Sequence, residues 1–268
     1  MTPRRDNVLQ RIAARTRERC AAARDERPLE EVAERARGRA ASLAWLDFPF
    51  ERSLRAPGMS FVCECKKASP SKGLIAPDFD PVSIALDYEA AGAAAVSVLT
   101  EPFFFQGEDR FLEDVSKAVG IPTLRKDFVV DELMIYEAME LGASAVLLIC
   151  AILTDDELSR YVSLCHELGL SALVEAYEPD EVPRALAAGA RVVGVNNRDL
   201  RTFEVDFGRS IDLRPLVGPD RVFVSESGVT SARDVARLAE AGVDAVLIGE
   251  TLMRAPDRRA ALTRLMRA

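Results

Sequence analysis

The sequence predicts an α/β protein of the closed (β/α)8, or TIM, barrel class, with extra N-terminal helices before the first strand. Three observations carry this. Eight short runs rich in Val, Ile, Leu and Ala recur at steady intervals, and amphipathic segments lie between them. A small-residue stop followed by an apolar run occurs at Gly92-Ala93, Gly142-Ala143, Gly189-Ala190 and Gly242-Val243, in steps of 50, 47 and 53 residues, each fitting two βα units. Runs with little polar alternation are how strands buried on both faces look. The glycines fit helix ends, where a left-handed residue closes the last turn.

In chain order, residues 7–43 read as helices ahead of the barrel, with Trp45, Leu46, Phe48 and Phe50 to seat them on it. The strands are expected at 60–67, 94–99, 122–126, 145–151, 172–177, 192–197, 222–226 and 245–249. Asp80-Pro81 and Glu178-Pro179 read as helix starts with an early proline. The segment 130–141 has apolar residues at Leu133, Ile135, Tyr136 and Met139, and 154–168 opens with the capping box Thr154-x-x-Glu157. Segments 231–241 and 256–267 repeat the amphipathic pattern. A doubly wound open sheet is the competing fold. The even unit size, and the absence of Gly-x-Gly-x-x-Gly after the first run, favour the barrel. No low-complexity linker divides the chain, so one domain is expected, with 1–50 as a helical extension and 51–268 as the barrel.

Composition narrows the function. The 268 residues are 49% hydrophobic, enough for a sizeable core. With 35 Lys and Arg against 43 Asp and Glu, the net charge of −8 argues against nucleic-acid binding. The most apolar stretch, 143–153, is too short to span a membrane. Residues 1–40 carry 11 Arg, no Lys and 7 acids. A transit peptide would be acid-poor, and a secretory signal needs an apolar stretch that is missing here. The arginine and alanine enrichment reads as compositional bias alone. Five cysteines form no C-x-x-C, and the one histidine is His166, so neither structural zinc nor a histidine-based triad has a basis. A reduced, cytoplasmic chain with buried thiols and no metal is expected, and a monomer is favoured.

In such a barrel the chemistry comes from the C-terminal ends of the strands. Here those ends are polar: Glu64, Lys66 and Lys67; Arg125, Lys126 and Asp127; Glu175; Asn196, Asn197 and Arg198; Glu226-Ser227-Gly228; Gly249-Glu250. Period-two geometry puts Glu64 and Lys66 on one face of the first strand and Cys63 and Cys65 on the other. Glu175 shares a face with Leu173, and Lys126 with Leu124. An unpaired ion at such a rim costs several kcal/mol. One Lys–Glu pair alone reads as a structural ion pair, but several such ends together favour a substrate site. Ser227-Gly228 and Gly249-Glu250 follow the last two strands, where many barrels hold a phosphate. Glu250 is expected to point away and lend its amide only.

Three local features have bland alternatives. Ser69-Pro70-Ser71-Lys72 matches an S-x-x-K acylation motif, but the accompanying motifs are absent. It reads instead as a mobile loop over the barrel mouth. Phe103-Phe104-Phe105 either walls off a flat apolar part of a ligand, with Phe105 foremost and Phe128 beside it, or anchors its loop in the core. His166 lies mid-helix and reads as a packing or surface residue.

Taken together, the stretches 64–73 (ECKKASPSKG), 97–107 (SVLTEPFFFQG), 124–128 (LRKDF), 173–175 (LVE), 194–200 (GVNNRDL), 225–228 (SESG) and 247–250 (LIGE) resemble the indole-3-glycerol phosphate synthase family, in family order. The resemblance implies a carboxy-lyase of tryptophan biosynthesis without a cofactor. Its substrate is a phosphosugar with an anthranilate moiety, 1-(2-carboxyphenylamino)-1-deoxyribulose 5-phosphate. The ring closes onto the ketone, and carbon dioxide and water leave. It implies Lys126 as general acid at the carbonyl oxygen, Glu175 as base in the dehydration, and Lys66 as partner of the substrate carboxylate with a part in proton transfer. Glu64 and Asn196 would orient these groups, Arg198 and Glu226 would complete the polar ring, and Ser69, Ser227, Gly228 and Gly249 would line the phosphate end. The sequence departs from the family at Tyr177, where a histidine is commoner, and at Phe103-Phe104, where Lys-Tyr is commoner. Glu250 is one of several residues accepted there. Two rivals are a Schiff-base aldolase using Lys126 or Lys66 and an inactive barrel kept as a binding subunit.

Overall fold

The computed structural model describes residues 8–43, 47–199 and 201–267. Eight parallel strands close into a barrel: β1 (Ser60–Cys65), β2 (Ala95–Leu99), β3 (Thr123–Lys126), β4 (Ala145–Ile149), β5 (Ser171–Ala176), β6 (Val192–Asn196), β7 (Val222–Glu226) and β8 (Ala245–Ile248). Strand β1 closes the ring by pairing on both edges, Val62 opposite Ala95 of β2 and Ser60 opposite Ala245 of β8. Except for Lys126 at the rim, every strand residue is buried, as expected for strands between a packed lumen and a ring of helices.

The helices outside the strands are α4 (Pro81–Ala90), α5 (Asp109–Ala118), α6 (Glu132–Glu140), α7 (Asp155–Glu167), α8 (Glu181–Ala187), α9 (Arg209–Leu213), α10 (Ala232–Glu240), α11 (Glu250–Met253) and α12 (Arg258–Leu265). Before the barrel come α1 (Val8–Glu26), α2 (Leu29–Ser42) and α3 (Pro49–Leu54). Local chemistry sets many of these ends. The Asp80 side chain caps α4, with Pro81 in its first turn. Thr154 and Glu157 form the expected capping box on α7. Gly92, Gly142, Gly189 and Gly242 have φ between +79° and +94° at the helix ends, a region an L side chain enters only with strain.

Several boundaries differ from expectation. Helix α6 starts at Glu132, because the Asp131 carboxylate accepts the Leu133 N–H at 2.8 Å while Asp131 itself stays extended. Helix α12 starts two residues later than expected, capped by Asp257. Pro179 is not in the first turn of α8. That helix begins at Glu181, whose carboxylate turns back to accept the Tyr177 and Glu178 N–H groups. Strand β1 ends at Cys65, where the Lys67 carbonyl turns to accept the Ile75 and Ala76 N–H groups.

The N-terminal arginines are more than compositional bias. Along α1, α2 and the turn between them they reach acids that begin or line α6: Arg24 to Asp131 at 2.7 Å, Arg27 to Glu137, and Arg35 to Glu140 at 2.6 Å. Arg19 meets the buried Asp127 at 3.0 Å. Helix α3 packs on β1 and β5 with Phe50 and Leu54 fully buried, and the Glu51 N–H donates to Ser171 Oγ. Phe48 lies under the Arg191 guanidinium at 3.8 Å and edge-on to His166, which is thus a packing residue. Trp45 and Leu46, also expected to seat the extension, lie outside the described residues. All five cysteines are buried and free. Among the described residues no helix is long and apolar enough to cross a membrane.

Phe50→Ala is expected to lower stability by about 3–5 kcal/mol, the usual cost of emptying a buried aromatic site. Urea unfolding monitored by circular dichroism reads this directly.

Candidate active site

The C-terminal rim encloses a cavity of about 490 Å³, within the range of small-molecule sites. Each residue singled out from the sequence borders it: Glu64, Lys66 and Ser69 from β1 and its loop; Phe105; Lys126 and Phe128 around the end of β3; Glu175; Asn196 and Arg198; Glu226, Ser227 and Gly228; Gly249 and Glu250. Strand periodicity sorts them from their neighbours. Lys126 points into the cavity, while the side chains of Arg125 and Asp127 turn outward beneath the helices. Arg125, fully buried, donates to the Met134 carbonyl at 2.8 Å and pairs with Asp109 at 2.8 Å. Asn196 faces the cavity, whereas Asn197 binds Ser225 and the Ser227 carbonyl from behind.

At the floor, the Lys126 Nζ stands 3.5 Å from Glu175 and 3.4 Å from Glu226. Burial alone would push its proton off, but the carboxylates of Glu226, Glu175 and Glu64 outweigh burial and hold it firmly charged. Beside it, Lys66 and Glu64 form a 2.5 Å ion pair. Burial opposes ionisation of Glu64, yet Lys66 and Lys126 hold it below the usual carboxylate range. Glu226 behaves oppositely. Neither of its oxygens receives a well-aligned hydrogen bond. Burial first, and the neighbouring Glu175, raise its pKa to about 8 despite Lys126. Three carboxylates against two ammonium groups would leave an excess negative charge in a buried space, and a proton on Glu226 removes it.

Two glycines make this crowding possible. A Cβ at Gly194, which lies opposite Glu175 across the β5–β6 ladder, would collide with the Glu226 carboxylate and approach Leu173 to 3.1 Å. A Cβ at Gly249 would collide with Glu64 and stand 2.9 Å from Lys66 Nζ. Gly249, expected at the phosphate end, thus also makes room for the Glu64–Lys66 pair. Sequence reading gave Gly194 no role of its own. Its signal was a lone glycine inside a buried strand, which marks a close approach.

The wall of the cavity is aromatic. Phe105 and Phe128 stand 5.9 Å apart, tilted by 37°. Both readings of the phenylalanine run apply, to different residues. Phe105 borders the cavity, Phe104 packs against the core, and Phe103 is half exposed under Arg15. Glu101 was missed: its buried carboxylate accepts the N–H groups of Phe103, Phe104 and Phe105 at 2.7–3.0 Å and so shapes the loop. Leu99, Leu147, Ile149 and Leu247 complete the apolar lining. They were invisible beforehand because they look like any buried strand residue.

At the other end lie Ser69, Ser227, Gly228 and Gly249. Ser227 has φ +67°, a strained conformation for a residue with a side chain. The loop after β1 is ordered by a two-stranded ladder, Ala68–Ser69 with Gly73–Leu74. Lys72 pairs with Glu250 at 3.4 Å, which sets the S-x-x-K reading aside. Glu250 does not point away as expected. Its carboxylate also meets Arg198 at 3.4 Å and Arg254 at 3.2 Å. Burial disfavours its charge, but Lys72, Arg198 and Arg254 hold its pKa below the usual range. The reason is simple: three cations converge on the one position from which a carboxylate reaches them all. Among the described residues no group of three or more His, Cys, Asp or Glu is arranged to hold a metal.

Buried charges cost several kcal/mol each unless they meet partners, and a lysine kept charged among carboxylates at the open end of a barrel is equipment for proton transfer. The fold and this cluster define a (β/α)8-barrel enzyme of acid–base chemistry. The chain belongs to the indole-3-glycerol phosphate synthase family, whose family model matches residues 9–265. It is 54% identical over 222 residues to the indole-3-glycerol phosphate synthase of Lachnoclostridium phytofermentans, covering 83% of this chain and 82% of that protein. It is 56% identical over 218 residues to that of Ruminiclostridium cellulolyticum, covering 81% and 84%. A solved 3-hexulose-6-phosphate synthase from Salmonella typhimurium shares the fold, with a TM-score of 0.65 at 14% identity over 78% of this chain and 97% of that one.

Two outcomes test the geometry. Gly194→Ala is expected to displace Glu226 and lower kcat about 10²-fold, the scale of a 1 Å misplacement, with folding kept as judged by circular dichroism. Infrared difference titration should show a buried carboxylic acid losing its proton near pH 8, and that band should be missing from Glu226→Gln.

Proposed function

We propose that this cavity converts 1-(2-carboxyphenylamino)-1-deoxyribulose 5-phosphate to indole-3-glycerol phosphate, carbon dioxide and water. The observation that carries the residue assignment is the Lys126 ammonium, kept charged between Glu175 and Glu226 on the cavity floor. The ring carbon bearing the carboxylate attacks the ketone carbon, and negative charge builds on the ketone oxygen. Lys126 meets that charge and passes it a proton, because an alkoxide is a far stronger base than the carboxylates around the lysine. The carboxylate then leaves as carbon dioxide, and its bonding pair restores the aromatic ring. Lys66 orients that carboxylate beforehand, sharing its charge with Glu64. The new hydroxyl takes a proton from the Lys66 ammonium and departs as water, and Glu175 removes a proton from the adjacent carbon to complete the indole.

The remaining side chains position the substrate. Phe105 and Phe128 wall the flat aromatic part. A protonated Glu226 donates to a ribulose hydroxyl, and Asn196 holds the neighbouring one while its Oδ1 accepts the Arg198 N–H at 3.0 Å. Ser69, Ser227, Gly228 and Gly249 receive the phosphate, with Arg198 nearby. We place the reaction in the cytosol, a reading that five free, buried thiols support. The Schiff-base alternative fits less well, because a nucleophilic lysine needs a lowered pKa and that of Lys126 is raised.

Lys126→Ala and Glu175→Gln are each expected to lower kcat by about 10²-fold or more, with a modest loss of stability from the broken buried ion pairs. Indole fluorescence from purified protein, together with rescue of a tryptophan auxotroph lacking this step, measures it. Near-normal turnover in both variants would remove the assigned roles, and a borohydride-trapped adduct on Lys126 or Lys66 would favour the aldolase.

A further inference from the structure

We propose that Glu250 is a built-in competitor for the substrate's phosphate, and that it sets how tightly that phosphate is held. This rests on reading the Ser69, Ser227, Gly228 and Gly249 end of the cavity as the phosphate end. Three cations converge there on one carboxylate. Lys72 comes from the hairpin after β1, Arg198 from the loop after β6, and Arg254 from the residue that follows α11. Arg198 and Arg254 border the cavity and Lys72 belongs to the loop over its mouth; Lys72 and Arg198 are the two held by the longer contacts. Both are already engaged by Glu250.

The geometry of these contacts is that of exchangeable partners. The Lys72 and Arg198 pairs are 3.4 Å long, well beyond the 2.7–2.9 Å of a tight charge-assisted bond. The side chains remain 42%, 20% and 28% exposed for Lys72, Arg198 and Glu250, so water screens the attraction. A phosphate dianion offers a guanidinium two well-placed oxygens and twice the charge. It therefore takes Lys72 and Arg198 from Glu250, and Glu250 retains Arg254, its neighbour one helical turn away at 3.2 Å. The displaced carboxylate stays beside the bound phosphate as a like charge. The result is a site that assembles its cations in advance yet binds the phosphate more loosely than those cations alone would. Loose binding of a group shared by substrate and product favours product departure.

Glu250→Gln keeps the length of the side chain and removes its charge. Inorganic phosphate, titrated by calorimetry, is expected to bind this variant about tenfold more tightly than the parent, the scale of one unit charge in a half-solvated site. The substrate KM should fall in parallel. Glu250→Asp keeps the charge and should stay within about twofold of the parent. Equal or weaker phosphate binding by Glu250→Gln would overturn the proposal and make Glu250 a strut that holds Lys72 and Arg198 in place. A gain in Glu250→Asp as large as in Glu250→Gln would overturn it too, since charge would then not be the cause. Calorimetry needs no turnover, so the ratio of phosphate affinities stands or falls separately from the assigned reaction.

Discussion

Burying one ammonium group among three carboxylates is the constraint on which the rest of this site depends. Glu64, Glu175 and Glu226 keep Lys126 charged against the pull of burial, and three carboxylates in so small a volume disfavour one another's ionisation. The raised pKa of Glu226 follows first from its own burial and then from the neighbouring Glu175, against the opposing pull of Lys126. In the proposed reaction the charged lysine faces developing negative charge, with Glu175 3.5 Å away and the Glu226 pKa raised toward the protonated form.

Supporting this cluster falls to small and apolar residues. Gly194 and Gly249 contribute space, which lets the Glu226 carboxylate and the Glu64–Lys66 pair occupy volume where a Cβ would otherwise sit. Around the cavity, Leu99, Leu147, Ile149 and Leu247 lower the local dielectric, which strengthens every charge interaction the cluster makes. The outward side chains matter equally. Arg125 and Asp127, either side of Lys126 in sequence, are tied beneath the helices to Asp109, Glu137, Thr100 and Arg19. The strand end carrying Lys126 is therefore held from behind by ion pairs that never see the cavity.

The two ends of the cavity are built on different physics. At the aromatic end, Phe105 and Phe128 are fixed by a loop wound around the Glu101 carboxylate, so shape does the selecting. At the anionic end, long and half-exposed ion pairs centre on Glu250, so charge does the selecting and remains adjustable. In the proposed binding mode, a rigid slot at one end and an exchangeable one at the other suit a substrate whose flat ring must be held still while its phosphate arrives and leaves.

The sequence by itself determined the strands, their order and most helix ends, because those depend on neighbours a few residues apart. Apolar runs, the Thr154 capping box and the four helix-closing glycines are local signals, and the structure places them within a few residues of where they were read. Strand periodicity also carried Glu64, Lys66, Lys126 and Glu175 to the face that borders the cavity, since side-chain alternation needs no tertiary information. The directions of Arg24, Arg35 and Glu250 were settled only by the tertiary structure. Arg24 and Arg35 find acids more than 100 residues away on α6, and Glu250 turns toward cations that barrel closure brings from two distant loops. Long flexible side chains take their direction from whichever opposite charge folding delivers, and no local pattern encodes which one that is.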